Sequence, residues 1–558
     1  MCGIAGYLRK KGAVLPEKTV KKMLERIGHR GPDQSGVYLR GDLALGSVRL
    51  SIIDKEKHLI PYENKDKTAA IVYNGEVYNH EQIRGLYRGK YRFSSSSDAE
   101  TVLSHFLHQG VKSFSDYNGM FAFALHDSLK EELYIVRDKA GEKPLYYVNN
   151  DKFFAFASEI KALLEVITPA LNKDCISYHA YEFNTGEETL FKDIYCLLPG
   201  EYLKIDRQGR LTKHAYWKVW DNLIYLPDNL KKIESRLSDL LVDAITLRTK
   251  NCVHRFGTFV SGGVDSALVA CIAKPDYLYT CHFDIKNDYD ELDYAKLVAK
   301  KINKRLIIVR PTQADFERTR RKIIYHLDTP CTWTSFSLWM LLERAIKDIK
   351  VVLSGDGADE IFSGYHRYHL LHHDEQIKNL KALERYSYLV DRYYGSPVER
   401  YTRIVNRCEN RYDKEVSRYL EENIGFYFSK MGHDHIHAMG VTDFYTTMQE
   451  LLQFSDRINM AFAVENRSPF LDYRLIQFAF SMPSKYKIKN GVTKWILKKV
   501  AKKFIPKEIA ERVDKRGFSA PINHWFGWGK NGKYDRSEYK NMAFQDWVSA
   551  FGVKIGEG

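Results

Sequence analysis

The chain has 558 residues, too many for a single hydrophobic core, so its length predicts more than one domain. Hydrophobic residues make up 44% and charged residues 28% of the chain, a balance that excludes a fibrous or disordered protein. The formal charge of +14 comes from basic residues scattered among 71 acidic ones, and no apolar run approaches the ~20 residues of a membrane span. We therefore expect neither a nucleic-acid partner nor a membrane partner.

The cysteines and the start of the chain bear on location. Eight cysteines are present without a C-x-x-C pair, and several lie in apolar runs such as ALVACIA. Such cysteines are typical of reduced thiols, so we expect a cytoplasmic protein. The start of the chain lacks the basic flank and long apolar stretch of a secretory signal, so we expect the mature protein to begin there.

Residues 1–215 are rich in short apolar runs of the β type. Examples are AAIVYNGEVYN, MFAFALHD and FFAFASE, each bounded by turn residues. Many short strands with few long helices predict packed antiparallel sheets. We assign residues 1–215 to a first domain.

Cys2 follows the initiator methionine and precedes Gly3, a context from which the methionine is readily removed. The free α-amine, with an ordinary pKa near 8, can accept the thiol proton and activate the sulfur as a nucleophile. Taken alone, Cys2 is better interpreted as an incidental cysteine. The motifs that follow it decide in favour of the nucleophile.

Six segments of the first domain, MCGIAGYL, HRGPDQSG, RLSIID, YNGEVYN, SSDAE and RDKAGEKPLYY, together resemble a class II glutamine amidotransferase domain in order and spacing. The resemblance implies an α+β N-terminal-nucleophile sandwich with αββα layers. It also implies that Cys2 hydrolyses glutamine to glutamate and ammonia, with Asn74 and the Gly75 backbone N–H stabilising the oxyanion.

The rest of a glutamine substrate needs partners of opposite charge. Arg49 can pair with the α-carboxylate as a bidentate fork. Glu76 and Asp98 are anions suited to the α-ammonium group. These three residues complete the predicted glutamine site.

The pattern changes after a predicted linker at residues 218–229. Helical periodicity in NLKKIESRLSDLLVDAITLR is followed by the strands RFGTFV, YTCHFDI, LIIVR and KVVLSG, with helical stretches between them. Strands that alternate with helices predict an α/β, doubly wound parallel sheet, and we expect additional helices beyond it. We assign residues 229–558 to a second domain.

The segment SGGVDS, residues 261–266, directly follows a predicted strand and begins a helix. Its two glycines let backbone N–H groups approach an anion, and the helix N-terminus adds positive potential, which predicts a phosphate site. A glycine-rich turn capped by serine is the structural alternative. The segment lacks the G-x-x-x-x-G-K-[ST] pattern of loops that serve γ-phosphate cleavage.

Later segments resemble the asparagine synthetase family. They are LSGDGADEIFSGYHRY (353–368), DRINMAFAVENRSPFLD (456–472), GVTKWILKKV (491–500) and DKRGFSAPINHW (514–525). With the first domain, the resemblance covers roughly the whole chain. It implies a pyrophosphate-loop synthetase domain that splits ATP into AMP and pyrophosphate through an acyl-adenylate.

The resemblance also implies roles for individual residues. Asp356 is a candidate for deprotonating incoming ammonium, and Lys494 neutralises charge on the α-phosphate. Asp265 and Asp359 are the natural pair to hold Mg²⁺ on the pyrophosphate, since that ion prefers carboxylate and phosphate oxygens. The residues implied to frame the nucleotide are Val260, Ser261, Gly262, Gly263, Asp265, Ser266, Ile285, Ser354 and Gly355.

The expected function is glutamine-dependent synthesis of asparagine from aspartate, with ATP as substrate and Mg²⁺ as cofactor. The alternatives are amidation of another carboxylate, in a peptidoglycan precursor, an antibiotic or a peptide, and a non-catalytic protein that keeps the fold. We expect glutamine, aspartate and ATP as small-molecule partners, and a homodimer stays open. Glu291, Asp293 and Arg367 are the candidates for binding the acceptor's charges.

Two remaining patterns are ambiguous. Histidines cluster at 366–373 and 433–437 without the spacing of a metal site, so we expect no metal other than Mg²⁺. Residues 379–430 mix aromatic and basic residues at helical spacing, and a helical layer is favoured there over an RNA-binding face.

Overall fold

The structure is a computed structural model, in which two antiparallel sheets precede one parallel sheet and a group of helices. The residues it describes are 2–10, 15–52, 60–89, 91–182, 185–250, 252, 254–285, 291–330, 334–369, 395–407, 413–512, 520–527 and 537–555. Of the helices in these ranges, none combines the length and the apolar character needed to cross a membrane.

The antiparallel sheets occupy the first part of the chain. Their strands are β1 (Cys2–Arg9), β2 (Gln34–Arg40), β3 (Leu43–Arg49), β4 (Tyr62–Glu63), β5 (Ala69–Val77), β6 (Gly119–Asp127), β7 (Glu132–Arg137), β8 (Tyr146–Asn149), β9 (Phe153–Ala157), β10 (Tyr195–Cys196), β11 (Glu201–Ile205) and β12 (Leu211–Ala215). One sheet has the order β10-β8-β9-β1-β3-β2, and the other has the order β12-β11-β7-β6-β5-β4.

Strand β9 shows how the sequence builds the layers. Phe154 and Phe156 pack between the two sheets, whereas Phe153 and Ala155 pack on the outer face, as the two-residue period of a strand requires. Helices cover both outer faces, which confirms the αββα sandwich. These helices are α1 (Lys18–Arg26), α2 (His80–Gly85), α3 (Asp98–Gln109), α4 (Ile160–Leu163) and α5 (Ile176–Tyr181).

The parallel sheet has five strands in the described residues, in the order β15-β14-β13-β16-β17. They are β13 (Phe256–Phe259), β14 (Tyr277–Cys281), β15 (Leu306–Val309), β16 (Val351–Leu353) and β17 (Glu465–Arg467). The helices that accompany it are α6 (Leu230–Thr249), α7 (Val264–Ala273), α8 (Leu292–Ile302), α9 (Gln313–Leu327), α10 (Thr334–Ala345) and α11 (Ala358–Phe362).

Helices cover both faces of this sheet. Residues of α6, α7 and α8 share one apolar cluster with β13 and β16, and residues of α9 and α10 share another with β13 and β14. The prediction of a doubly wound α/β sheet is therefore confirmed. The chain reverses its direction of winding between β13 and β16, which are direct neighbours, and such switch points bind ligands at the carboxyl ends of the strands.

Further helices pack around the parallel sheet. They are α12 (Pro397–Val405), α13 (Lys414–Met431), α14 (His435–Tyr445), α15 (Thr447–Ala461), α16 (Tyr473–Ser481), α17 (Trp495–Ala501), α18 (Lys507–Ala510), α19 (Ile522–Phe526) and α20 (Ser537–Phe551). Helix α15 touches both halves of the chain, because it packs on α9 and α10 and also on the short turn Gly28–Arg30 that precedes β2.

Some sequence predictions lie partly or wholly outside the described residues. Of the stretch 379–430, residues 379–394 and 408–412 lie outside, and the rest contains α12 and α13. Residues 372–373 of the first histidine cluster lie outside as well. Strand β12 ends at Ala215 and α6 begins at Leu230, and the division into domains at 1–215 and 229–558 stays a prediction.

Candidate active sites

Cys2 lies in a cavity at the start of β1. The antiparallel register places Cys2 directly opposite Arg49 of β3, and Arg49 opposite Gln34 of β2, so the three side chains share one face. The Arg49 Nη1 donates to Gln34 Oε1 at 3.3 Å. The cavity is lined by Cys2, Ser47, Arg49, Leu50, Ile52, Ile60, Pro61, Tyr62, Ile71, Tyr73, Gly75, Glu76, Ser97, Asp98, Ala99 and Glu465.

Asn74 is held beside Cys2 with a donor to spare. Its Oδ1 accepts the Cys2 backbone N–H at 3.1 Å, which fixes the amide. Its Nδ2 is buried and has no hydrogen-bond partner among the described residues. Because a buried donor without an acceptor costs about 1–3 kcal/mol, this group is the kind expected to await a ligand oxygen.

Gly75 is required by the close approach of β5 to β6. Its φ is +149°, and a Cβ at this position would lie 2.1 Å from the Met120 carbonyl oxygen. A larger residue would push β5 away from β6 and displace Asn74 from Cys2. Gly75 thus lines the cavity, whereas Asn74 is bonded to the Cys2 N–H without being one of the lining residues. Their role at the oxyanion stays a prediction.

Asp98 and Glu76 both line the cavity but are engaged differently. Asp98 begins α3, and its Oδ2 accepts from the Tyr73 hydroxyl at 2.6 Å and the Val77 N–H at 2.9 Å. Glu76 Oε2 forms a buried ion pair with Arg467 Nη2, a partner that the sequence analysis did not name. Asp98 is therefore the better placed anion for a substrate ammonium group.

Arg467 lies on β17 of the parallel sheet and holds two carboxylates at the Cys2 cavity. Its Nε donates to Glu465 Oε1 at 2.6 Å, and Glu465 itself lines the cavity. Burial and the charge of Glu465 raise the pKa of Glu76 to about 8, and Arg467 lowers the pKa of Glu465 to about 2 against the effect of burial. The only sequence signal for this contact was the segment ENRSPFLD, which contains both Glu465 and Arg467.

The Cys2 thiol is buried, and burial raises its pKa above the ordinary value. The backbone N–H of Leu50 and the charge of Arg49 act in the opposite direction. A thiol of this kind is mostly protonated at neutral pH, so its reaction needs a base at hand. From the sequence, we expect the α-amine of Cys2 to be this base.

The second candidate site lies at the carboxyl edge of the parallel sheet. Val260 follows β13, Ile285 lies beyond β14, and Ser354 follows β16, so the segments after three neighbouring strands meet there. In the SGGVDS segment, the Ser261 N–H donates to Ser266 Oγ at 3.2 Å, and Gly262 has φ +70°. This hydrogen bond folds the segment back on the first turn of α7.

The loop after β16 packs directly on α7. A Cβ on Gly355 would lie 2.8 Å from the Cβ of Asp265, so only glycine allows the two segments to approach this closely. Gly263 is the residue before α7. The structure thus brings the two predicted nucleotide segments side by side.

Lys494 forms ion pairs with the first turns of both α7 and α11. Its Nζ lies 2.6 Å from Asp265 Oδ2 and 2.6 Å from Asp359 Oδ1, and its side chain is buried. Its own backbone is left-handed, with φ +53°, just before α17. Carboxylates from the first turns of α7 and α11 therefore converge on one cation.

This convergence suits Mg²⁺. The donors are hard carboxylate oxygens, and Mg²⁺ is usually bound by one or two protein carboxylates together with substrate phosphates. No group of three or more His, Cys, Asp or Glu residues able to hold a metal ion occurs in the ranges that the structure describes. Asp265 and Asp359 are the residues that could hold such an ion together with a bound polyphosphate.

Asp356 lies at the centre of a polar network. Its Oδ2 accepts from Ser354 Oγ at 2.8 Å, Ser455 Oγ at 3.0 Å and Asn466 Nδ2 at 3.2 Å. Burial raises its pKa above the ordinary carboxyl value despite these bonds. A carboxylate of raised pKa is a better proton acceptor, and the role of Asp356 as the base stays a prediction.

Glu360 is a buried acid that the sequence analysis missed. It follows Asp359 on α11, and its Oε1 accepts the Tyr365 hydroxyl at 2.5 Å. Burial and the neighbouring charge of Asp359 raise its pKa to about 7. A raised pKa beside paired carboxylates is typical of functional sites, and only its place within the motif could have indicated it.

The three residues proposed for the acceptor all have other contacts. Glu291 Oε1 pairs with Arg512 Nη1 at 2.8 Å, beside the SGGVDS segment. Asp293 is solvent-exposed and pairs with Lys296. Arg367 is partly buried, with Nε donating to Asp443 Oδ2 at 3.0 Å, and of the three it alone lines the cavity described below.

An αββα sandwich that begins at Cys2 and continues into a doubly wound parallel sheet defines the class of this chain. It is an N-terminal-nucleophile amidotransferase joined to a synthetase part. Residues 1–217 match the family model described as a glutamine amidotransferase domain, and residues 236–543 match the model described as asparagine synthase.

Relatives agree over most of the chain. It is 30% identical to asparagine synthetase (glutamine-hydrolyzing) 1 of Bacillus subtilis strain 168, over 94% of this chain and 88% of the relative. It is 30% identical to asparagine synthetase B (glutamine-hydrolyzing) of Escherichia coli K12, over 69% of each chain. It is 25% identical to amidase chyE of Penicillium rubens, over 98% of this chain and 93% of the relative. The chain belongs to the asparagine synthase family, with a glutamine amidotransferase domain at its N-terminus.

Alkylation of Cys2 tests the electrostatics of the first site. Because burial raises the thiol pKa, we expect the alkylation rate by iodoacetamide to rise through a midpoint above the ordinary thiol value of about 8.5. Arg49→Leu removes a charge that favours the thiolate, so the pH midpoint of Cys2 alkylation is expected to be higher in this variant. The measurement is the pH dependence of modification of the Cys2 peptide by mass spectrometry.

The control variant is Arg40→Leu, which removes an exposed charge from β2. Its midpoint is expected to match the unmodified protein. A midpoint below the ordinary thiol value, or equal midpoints for all three proteins, would contradict this description of the site.

Proposed function

We propose that this protein is a glutamine-dependent asparagine synthetase, with ATP as substrate and Mg²⁺ as cofactor. The observation that carries the proposal is the position of β17 between the two candidate sites. Glu465 lines the Cys2 cavity, and the next residue, Asn466, donates to Asp356. A nucleophile for glutamine and a carboxylate site for an adenylate thus lie on either side of one three-residue strand.

In the first half-reaction the Cys2 sulfur attacks the side-chain amide carbon of glutamine, and the α-amine takes the thiol proton. Asn74 Nδ2 and the Gly75 N–H are the donors for the oxyanion of the tetrahedral intermediate. Collapse of the intermediate transfers the proton to the leaving nitrogen and releases ammonia. Water then cleaves the glutamyl thioester to glutamate and regenerates the thiol.

In the second half-reaction an acceptor carboxylate oxygen attacks the α-phosphorus of ATP, and the bond to the pyrophosphate breaks. The SGGVDS segment offers backbone N–H groups and hydroxyls to the pyrophosphate, and Lys494 offsets negative charge at the phosphates. Asp265 and Asp359 would hold Mg²⁺, which when bound would supply further charge neutralisation at the phosphates. Ammonia attacks the acyl carbon, AMP leaves, and Asp356 accepts the surplus proton.

Ammonia has to reach the adenylate without meeting bulk water, because at neutral pH it is mostly protonated and then not nucleophilic. The interface between the sites favours such shielding. Leu50 and Ile52 line the Cys2 cavity, and they belong to one continuous apolar cluster with Val260 and Leu353, the residues that precede the two nucleotide loops.

A cavity of about 250 Å³ whose wall includes neighbours of Glu360 and Ser455 is the proposed acceptor site. Tyr365, whose hydroxyl donates to Glu360, forms part of its wall, and Phe454 of α15 lies just before Ser455, the partner of Asp356. Both signs of charge line the cavity, as an amino-acid acceptor with a carboxylate and an ammonium group requires. The charged lining residues are Glu182, Arg367, Arg407, Glu450 and Lys540.

Another carboxylate acceptor is the second candidate. The likeness to the Penicillium amidase covers nearly the whole chain, so the family motifs by themselves do not select aspartate. These motifs surround the phosphates and the adenylate, which every such enzyme handles. The acceptor therefore has to be read from the charged cavity and tested directly.

Replacement of the nucleophile separates the two half-reactions. Cys2→Ala removes the sulfur that opens glutamine but leaves the parallel-sheet site intact. We expect glutamine-dependent synthesis to fall by at least about 10³-fold, as for loss of a covalent nucleophile, while ammonia-dependent synthesis continues. The measurement is asparagine formed from aspartate and ATP with either nitrogen source, and equal loss of both activities would contradict the two-site proposal.

A panel of carboxylates tests the acceptor and the chemistry together. The protein is incubated with ATP, Mg²⁺, ammonium and aspartate, glutamate, an aspartyl peptide or a peptidoglycan precursor. We expect aspartate to give AMP, pyrophosphate and asparagine in equal amounts. ADP and phosphate as stoichiometric products, or amidation of another member with none of aspartate, would overturn the corresponding part of the proposal.

In the same assay Glu450→Gln tests the acceptor cavity. The neutral amide keeps the shape but loses the charge that suits the acceptor's ammonium group, so KM for aspartate is expected to rise by about tenfold or more. KM for ATP, which binds at the other loops, should not change. Asp293→Asn is the matched control, because Asp293 is exposed and lies outside the cavity.

A further inference from the structure

Two consecutive residues of α15 contact the two candidate sites, one residue at each site. Ser455 Oγ donates to Asp356 Oδ2 at 3.0 Å in the synthetase site. Asp456 accepts from Arg30, with Nη1 to Oδ2 at 2.7 Å and Nη2 to Oδ1 at 3.1 Å. Because the two residues are neighbours on one helix, neither can shift along the helix axis without the other.

Arg30 connects Asp456 to the backbone of Cys2. Its Nε donates to the Cys2 carbonyl oxygen at 3.2 Å, and its side chain has no exposed surface. A second carboxylate, Glu159, accepts from Arg30 Nη1 at 2.8 Å. The guanidinium is thus fixed from both sides, and it fixes the peptide group that follows Cys2.

This connection is stiff because it is buried and charged. Burial would raise the pKa of Asp456, but the charges of Arg30 and Lys143 lower it below the ordinary value, so Asp456 is a carboxylate at neutral pH. A bidentate pair between a guanidinium and a carboxylate fixes both distance and angle. Asp456 and the Cys2 carbonyl group are therefore connected through one rigid guanidinium group.

Formation of an acceptor adenylate is the event that can change the position of Ser455 and Asp456. The Oδ2 atom of Asp356 already accepts from Ser354, Ser455 and Asn466. When Asp356 contacts the adenylate, these bonds are weakened, so the empty and loaded states of the site differ in their hold on Ser455. A differential interaction of this kind is what couples two sites.

We propose that Asp456 is a positioning residue that links acceptor activation to glutamine hydrolysis. Through Arg30 it sets the position of the Cys2 backbone relative to Asn74, and through Ser455 it responds to the state of Asp356. Loading of the synthetase site then raises the rate at which Cys2 opens glutamine. This inference rests on the proposed function.

The test is glutamine hydrolysis with and without ATP and aspartate. In the unmodified protein we expect stimulation of about fivefold or more, the lower end of ordinary coupling between sites. In Asp456→Asn, which keeps the shape but weakens the charged pair with Arg30, the stimulation should fall to about onefold. The ratio of glutamate to asparagine formed should rise accordingly, while kcat and KM for aspartate with ammonium are retained.

Asp328→Asn is the matched control. Asp328 is equally buried in the same charged network, and its contacts in the described residues include Ile160, Lys161 and Arg457. It therefore reports the general cost of disturbing the network, and its stimulation should be retained. Equal loss of stimulation in Asp328→Asn and Asp456→Asn, or normal stimulation in Asp456→Asn, would overturn the proposal.

Two further readouts separate the possible failures. If Asp456→Asn loses ammonia-dependent synthesis and is misfolded, Ser455→Ala tests the same link, and stimulation that survives in it would overturn the proposal. The unmodified protein could make asparagine from ammonium while its rate of glutamine hydrolysis is unchanged by ATP and aspartate. That result would overturn the coupling proposal and leave the proposed function intact. If no pyrophosphate is released with any acceptor, the proposed function fails first.

Discussion

Three arginines without exposed surface, Arg30, Arg457 and Arg467, hold the sandwich and the parallel sheet together. Each joins the two halves of the chain, and the bidentate pair of Arg30 with Asp456 is the clearest case. Removing one partner of such a buried pair typically costs about 3–5 kcal/mol, because the other charge is left without compensation. Since the pKa of Asp456 is lowered on folding, its stabilising effect is present above the ordinary carboxyl pKa and is lost as the pH falls towards the lowered value.

The position of both candidate sites follows from this interface. Strand β17 presents Glu465 to the Cys2 cavity and Asn466 to Asp356, and the Arg467 carbonyl oxygen accepts the Ser354 N–H at 3.1 Å. Helix α15 adds Ser455 on one side and Asp456 on the other. Two elements of the second half of the chain thus form walls of both sites, so neither site has its full set of neighbours when the halves are apart.

Local geometry was the part of the site that the sequence could predict. Glycines at strand ends and a serine before a helix indicate phosphate loops, and the loops containing Gly262 and Gly355 indeed lie side by side. The pairing of Glu76 with Arg467 was missed, because 391 residues separate them and no periodic pattern relates two surfaces that meet only when sheets pack. Of the cavity proposed for the acceptor, the sequence indicated only Arg367, since α5, α15 and α20 all contribute to its wall.

The most direct test of the shared interface follows the nitrogen atom. Glutamine labelled with ¹⁵N in its side-chain amide is supplied with ATP, Mg²⁺, aspartate and unlabelled ammonium. The ammonium is in molar excess over the ammonia released from glutamine, at a concentration at which ammonia-dependent synthesis is slow compared with the glutamine-dependent reaction. If ammonia passes from Cys2 to the adenylate within the protein, the asparagine formed keeps the ¹⁵N of glutamine whatever the external ammonium. Asparagine whose label is diluted in proportion to the external ammonium would contradict the account.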